Sequence, residues 1–297
     1  MTRNILENTM GLVKNNFIAL ICSYNPIEFH IVEQVKSIVQ NGIRVVIVDF
    51  SHEYNSLEYF QNSSITYVHK PGRLGPMISF YEGMKYVIDS FDFDYLYLCD
   101  QDDVWHSEKH VVVSNYLNSV ESCYVLGHDV QCFNDNDGKS IGAYSALKSR
   151  RYPIELSRDL SLTANAVVGH SLCLRKEFIR DFLNWNGKKY FLMHDWAILY
   201  YSNLKYGGIN WLGLCLSYYR IHNNNILGLN QKESGKMSYI KRHIKYVLKV
   251  TQVISQLEQS YFKRVQLAVK RIWLASSVTT KRAFLEMEIL IFTLIGK

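Results

Sequence analysis

Proline and glycine are both scarce, at 4 and 16 in 297 residues. That excludes collagen-like and low-complexity chains, whose backbones depend on these two residues. Charged residues are 20% of the chain against 48% apolar, which excludes long disordered stretches and fits a core-forming protein. The six cysteines (Cys22, Cys99, Cys123, Cys132, Cys173 and Cys215) form no CxxC pair. Most lie in apolar runs such as Leu96-Tyr97-Leu98-Cys99, as buried thiols do in a reducing compartment, so neither a disulfide framework nor a zinc site is expected. No repeat of about 20 to 50 residues is visible, which disfavours a solenoid or a propeller. A P-loop and a nucleophile elbow are also missing. The run Ile289 to Ile295 has seven residues, far short of the ~20 that a membrane span needs. Met1 to Asn16 is polar and carries Glu7, unlike a secretory signal, so a cytoplasmic location is expected.

What is present begins with an uneven charge. From Ser234 to Lys297 there are twelve Lys/Arg against three Glu, a net of +9 within an overall +6. The remaining body is mildly acidic, so the tail is the part expected to meet an anionic surface, with no nucleic-acid partner. Between Tyr239 and Tyr261, Ile240, Ile244, Val247, Thr251 and Ile254 fall on one side of a helical wheel. Lys241, Arg242, Lys245 and Lys249 fall opposite. Such a helix either packs on the main domain or lies on a membrane. The length suits one large domain plus an appendage, divided here as residues 1–230 and 231–297.

The first two thirds alternate buried-strand runs with helical spacing. Phe17 to Cys22 reads as a strand, Ile27 to Gln40 as a helix closed by Asn41-Gly42, and Arg44 to Asp49 as a second strand. Ile65 to His69 is a third strand, Gly75-Pro76 opens a helix to about Phe91, and Tyr95 to Cys99 is a fourth strand. Strand-helix alternation predicts an α/β domain with a largely parallel sheet, whose ligands bind beyond the strands' carboxyl ends. Tyr24-Asn25, Asp49 and Asp100-Gln101-Asp102-Asp103 all fall there.

Three carboxylates in four residues repel one another, so they suit either a solvated acidic turn or a site for a hard cation such as Mg²⁺ or Mn²⁺. The apolar strand before them and Val104-Trp105 after them argue for a pinned turn. His194-Asp195-Trp196 begins a helix. Asp195 is either a first-turn acid favoured by the helix amides or a general base flanked by apolar groups. Within Tyr219-Arg220-Ile221-His222-Asn223-Asn224-Asn225, His222 is either a surface histidine or a metal ligand.

Asp100-Gln-Asp-Asp-Val-Trp105, Val168-Gly-His-Ser171, His194-Asp-Trp196 and Tyr219-Arg-Ile-His222-Asn-Asn-Asn225 occur here in the order seen in bacterial family-2 glycosyltransferases. The resemblance is to their rhamnosyltransferase-like branch, which builds O-antigen and capsule polysaccharides, and it spans about residues 15 to 230. It implies a GT-A-type Rossmann-like nucleotide-diphospho-sugar domain with a helical C-terminal extension. It implies donor contacts from Tyr24, Asn25, Asp49, Gly75, Asp100 and Gln101, with Asp49 on the nucleobase or ribose. Asp102 and His222 would hold Mn²⁺ or Mg²⁺, and Asp195 would deprotonate the acceptor. Asp103, Trp105, Gly169, His194, Trp196 and Arg220 would bind the acceptor or support the site. One departure is Arg73-Leu74-Gly75 where the family often has Asn-x-Gly, which puts Arg73 within reach of a donor phosphate.

The expected function is inverting transfer of rhamnose or a hexose from a dTDP- or UDP-sugar to a lipid-linked or surface glycan, at the inner face of the plasma membrane. Two rivals are a catalytically silent sugar-nucleotide-binding module and a metal-dependent phosphate enzyme such as a nucleotidyltransferase.

Overall fold

The computed structural model describes residues 15–53, 63–144, 161–162, 165–222, 252–254 and 256–257. In chain order the elements are β1 (Phe17–Ser23), α1 (Glu28–Gln40), β2 (Arg44–Asp49), β3 (Ile65–His69), α2 (Pro76–Ser90), β4 (Tyr95–Cys99) and β5 (Val104–Trp105). They continue as α3 (Lys109–Ser119), β6 (Val125–Asn134), β7 (Ser140–Ala143), β8 (Leu172–Arg175), α4 (Lys176–Asn184), α5 (His194–Lys205) and β9 (Asn210–Ile221).

The first four strands follow from their composition. Continuous apolar runs such as Ile18-Ala-Leu-Ile21 and Leu96-Tyr-Leu-Cys99 bury both faces, which suits strands covered by helices on each side. Leu20 joins a core shared with α2, α4 and α5, whereas Ala19 and Ile21 join one shared with α1 and α3. These strands pair in parallel in the order β3-β2-β1-β4, with Ile21 level with both Ile47 and Cys99. The chain runs outward from β1 through β2 to β3, then returns to place β4 on the other side of β1. A crevice therefore opens beyond the carboxyl ends of β1 and β4, where the winding reverses.

Beyond β4 the expectation of a largely parallel sheet fails. The nine-stranded sheet continues β8-β6-β9-β5, with β7 beside β6, and only the β6–β9 pair in this half is parallel. Long connections let β8 and β5 enter between or beside earlier strands. The β6–β9 register slips around His128, Asp129 and Val130, where β-bulges bend the pair.

Two helices show how their ends are set. Gly75 takes φ +75°, a conformation strained for other residues, and Pro76 starts α2 where no amide donor is missed. The start of α5 at His194 leaves Trp196 nearly buried, its indole N–H donating to the Ser161 carbonyl at 2.7 Å.

Most of the expected C-terminal extension, and Asn223 to Asn225, lie outside the described residues. Within it, Val253 and Ile254 are buried in the core shared with α5, so Ile254 of the apolar stripe packs on the domain. Among the described residues no helix is long and apolar enough to cross a membrane.

Phe178 is fully buried against Phe182, Tyr201 and Tyr206. Phe178→Ala should lower unfolding free energy by about 3–5 kcal/mol in urea titrations, because the aromatic cluster cannot close the void. Val111→Ala, at a 58% exposed position of α3, should stay within about 0.5 kcal/mol of the parent.

Candidate functional site

The loop after β1 is organised by Asp49, which is fully buried. Its carboxylate accepts from Ser23 Oγ (2.9 Å), the Ser51 amide (3.2 Å), Ser51 Oγ (2.7 Å) and Tyr67 Oη (2.8 Å). Ser51 Oγ in turn accepts the Asn25 amide at 2.8 Å, and Gln101 Oε1 accepts the Tyr24 amide at 2.9 Å. Asp49 was expected to touch nucleobase or ribose. It lies instead behind the cavity wall, its oxygens occupied by three segments of the protein.

The aspartate turn is pinned from within. Asp103 Oδ1 accepts the Arg220 amide at 3.0 Å, and Asp103 Oδ2 lies 2.6 Å from His170 Nδ1. The Arg220 guanidinium donates to the Asp102 carbonyl (2.8 Å), to Asp135 (2.7 Å) and to Glu33. Trp105 is buried behind the turn, its amide donating to Ser37 Oγ, and the fully buried Lys109 ammonium stands 4.2 Å over its ring. Asp103, Trp105, Trp196 and Arg220 are thus supports, set beneath the wall.

Facing outward is a cavity of about 580 Å³ at the β1/β4 crevice. Tyr24, Asn25, Arg73, Gly75 and Gln101 are among its lining residues. So are Asp100, Asp102, His222, Gly169, His194 and Asp195. His222 Nε2 and Asp102 Oδ2 are 2.7 Å apart. That is a hydrogen bond, between two groups that are both of a type able to ligate a cation. A second group, Asp100, Asp103 and His170, brings one ligand atom each within 4.8 Å of the others. There the His170 ring is buried and Asp103 Oδ1 is already engaged, so the group suits an internal ion pair better than a substrate-loading ion.

The electrostatics follow from burial. Desolvation lifts the Asp103 carboxyl to about 6. For His170, burial acts downward, but the charges of Asp103 and Asp100 outweigh it and raise the imidazole to about 9. Burial also raises Asp195 despite a neighbouring histidine and hydrogen bonds from Asn165 and the Trp196 amide. His194 is lowered by desolvation, whereas the hydrogen bond to Asp102 raises His222.

No family model matches the chain. A curated relative, the dTDP-rhamnosyl transferase RfbG of Shigella flexneri, is 26% identical over 271 residues, 83% of this chain and 88% of that protein. The structure of S. aureus TarS 1-349 in complex with UDP superposes with TM-score 0.57 at 14% identity, covering 95% of this chain and 92% of that one. The mannosyltransferase PcManGT from Pyrobaculum calidifontis, in complex with GDP-Man and Mn²⁺, gives 0.53 at 10% identity over 96% and 87%. These structures share the GT-A-type fold, and the sequence relative narrows the kind of protein. The chain is similar in sequence to a rhamnosyl transferase and in fold to GT-A-type glycosyltransferases.

In this chain several wall or support residues escaped sequence reasoning. His30 of α1 lines the cavity 3.2 Å from Asp135, with its ring 5.7 Å from that of His222. A histidine on a helix face carries no signal for such a partner 105 positions away. Phe80 and Cys22 read as core residues, yet both reach the cavity. His170 sat inside a quoted motif of which only Gly169 was assigned a role.

The His170–Asp103 pair makes stability depend on pH. A base raised from its usual 6.5 to about 9 contributes stability that is complete below 6.5 and lost as pH passes 9. His170→Gln leaves a buried carboxylate without its cation, at a cost of about 3–5 kcal/mol. In denaturant titrations the gap between parent and variant should be widest near pH 7, where Asp103 is ionised and His170 protonated, and close above about 9.

Proposed function

We propose that this protein is a glycosyltransferase that moves a sugar, rhamnose or a hexose, from a dTDP- or UDP-sugar to a glycan hydroxyl with inversion at the anomeric carbon. The observation that carries the reading is that Asp102, His222 and Asp195 line one cavity at the β1/β4 crevice. The nucleotide would lie along Tyr24, Asn25 and Gln101, and Arg73 would reach its phosphates. Mn²⁺ or Mg²⁺ held by Asp102 and His222, with Asp100 alongside, would supply positive charge for the departing diphosphate.

The chemistry then needs one base. As the acceptor oxygen forms its bond to the anomeric carbon, the bond to the diphosphate oxygen breaks and its electron pair leaves with the nucleoside diphosphate. Asp195 takes the hydroxyl proton. Its burial beside Met193 and Trp196 strengthens it as a base relative to a solvated aspartate.

Nucleoside diphosphate release should appear in a screen of nucleotide sugars with Mn²⁺ and Mg²⁺ supplied separately, and disappear in EDTA or with Asp102→Ala. Asp195→Asn should lose about 10²–10⁴-fold in turnover while binding donor nearly as before. Normal turnover by that variant places the base elsewhere. Release of pyrophosphate from a nucleoside triphosphate would make the protein a nucleotidyltransferase instead.

The acceptor in this reading is lipid-linked, supported by the net +9 of residues 234–297. Each basic residue near an anionic bilayer adds about 1 kcal/mol of attraction. Changing Lys241, Arg242, Lys245 and Lys249 to Gln should therefore release protein from acidic vesicles at low salt. Parent protein that ignores such vesicles removes the membrane from the scheme.

A further inference from the structure

His194 is a cavity-wall residue, 2% exposed, and among the described residues neither of its ring nitrogens has a hydrogen-bond partner. A buried donor or acceptor without a partner costs about 1–3 kcal/mol, so a retained one calls for an explanation.

The ring is closely packed on two sides. One face stacks on Phe80, with centroids 3.7 Å apart and planes at 23°. The edge abuts Gly169, where a Cβ would fall 2.3 Å from Nε2. The glycine thus provides the space in which the imidazole sits. Around it the wall is mostly apolar, with Cys22, Phe80 and Met193, and the Cys22 thiol is already directed to the Ser79 carbonyl at 3.3 Å. The carboxylates of Asp100 and Asp195, which act on the imidazole electrostatically, line the same cavity.

We propose that His194 is a specificity-determining residue that hydrogen-bonds a ring hydroxyl of the transferred sugar. The inference rests on the function proposed above. It adds to that function which side chain tells the sugar apart from the nucleotide that carries it. Placement favours the transferred ring. His194 adjoins Asp195, which faces the acceptor oxygen, and it lines the same cavity as Asp100, beside the diphosphate-holding pair. The group that must lie between those two carboxylates is the sugar being moved. Desolvation keeps the imidazole neutral, with one nitrogen to donate and the other to accept, as a hydroxyl requires.

The test compares a nucleotide sugar with its own nucleotide. Calorimetric titration with dTDP-rhamnose against dTDP, and UDP-glucose against UDP, in Mn²⁺, would be run on the parent, His194→Phe, His194→Gln and Gly169→Ala. Loss of one neutral hydrogen bond should weaken the preferred nucleotide sugar about threefold to tenfold in His194→Phe. Affinity for the bare nucleotide should not change, which also reports that the variant is folded. The glutamine variant should keep part of the preference, and Gly169→Ala, by displacing the imidazole, should behave like His194→Phe. Equal weakening of sugar and bare nucleotide in both His194 variants assigns the residue to structure and overturns the proposal. So does an unchanged sugar preference in both. If the parent itself binds neither nucleotide sugar, the proposed function fails first, a result recognisable before any variant is read.

Discussion

Three aspartates within four residues at the end of a fully buried strand can be held together only if cations of the protein's own meet them. The sheet supplies these cations from its far half. Arg220, the penultimate residue of β9, donates its amide to Asp103 and its guanidinium to the Asp102 carbonyl. The same guanidinium reaches Glu33 of α1 and Asp135 beyond β6, so one side chain joins the two halves of the sheet and a helix. His170 closes the turn from below, stacked on Tyr219 at 5.5 Å with planes only 6° apart. Removing one partner from such a buried set costs more than the pair itself contributes, which makes the turn rigid rather than merely stable. A rigid turn fixes where Asp100 and Asp102 point.

That rigidity divides labour among the aspartates. Asp103 is consumed by structure, its two oxygens committed to Arg220 and His170. Asp102 faces His222 at the cavity, and Asp100 remains partly exposed on its wall. The unpaired charge that a divalent ion could offset is therefore less than three carboxylates suggest. Internal imidazole and guanidinium groups already meet much of it.

The parallel half of the fold was legible because β1 to β4 are unbroken apolar runs punctuated by turn residues, and their bounds in the sequence match the observed ones to within a residue. The antiparallel half was not. β8 is only four residues, and β6 and β9 are bulged and partly exposed, so no simple period marks them. Pairing between strands separated by more than 80 residues leaves no local trace. Asp49 shows the same limit at a single residue. A carboxylate at a strand end reads alike whether it faces a ligand or gathers Ser23, Ser51 and Tyr67, because those partners come from three separate segments. The motifs were better guides: Asp102, the adjacent His194 and Asp195, and His222 come from three distant stretches of sequence, yet all line one cavity.

The remaining question of balance concerns Asp195, where two opposing effects act at one helix terminus. The first turn of α5 offers the Trp196 amide at 2.7 Å, and helix amides favour a charged carboxylate. Burial beside apolar groups favours the neutral acid and is the larger effect, so the net shift is upward. A positive charge on His194 next door acts the other way, by stabilising the carboxylate. Its own burial lowers its affinity for a proton, so the neighbour stays neutral and the carboxylate keeps its raised basicity. Phe80 and Gly169 produce this result by enclosing the imidazole and leaving it no partner. The packing that encloses His194 therefore acts in the same direction as the burial of Asp195, and would serve the base proposed there.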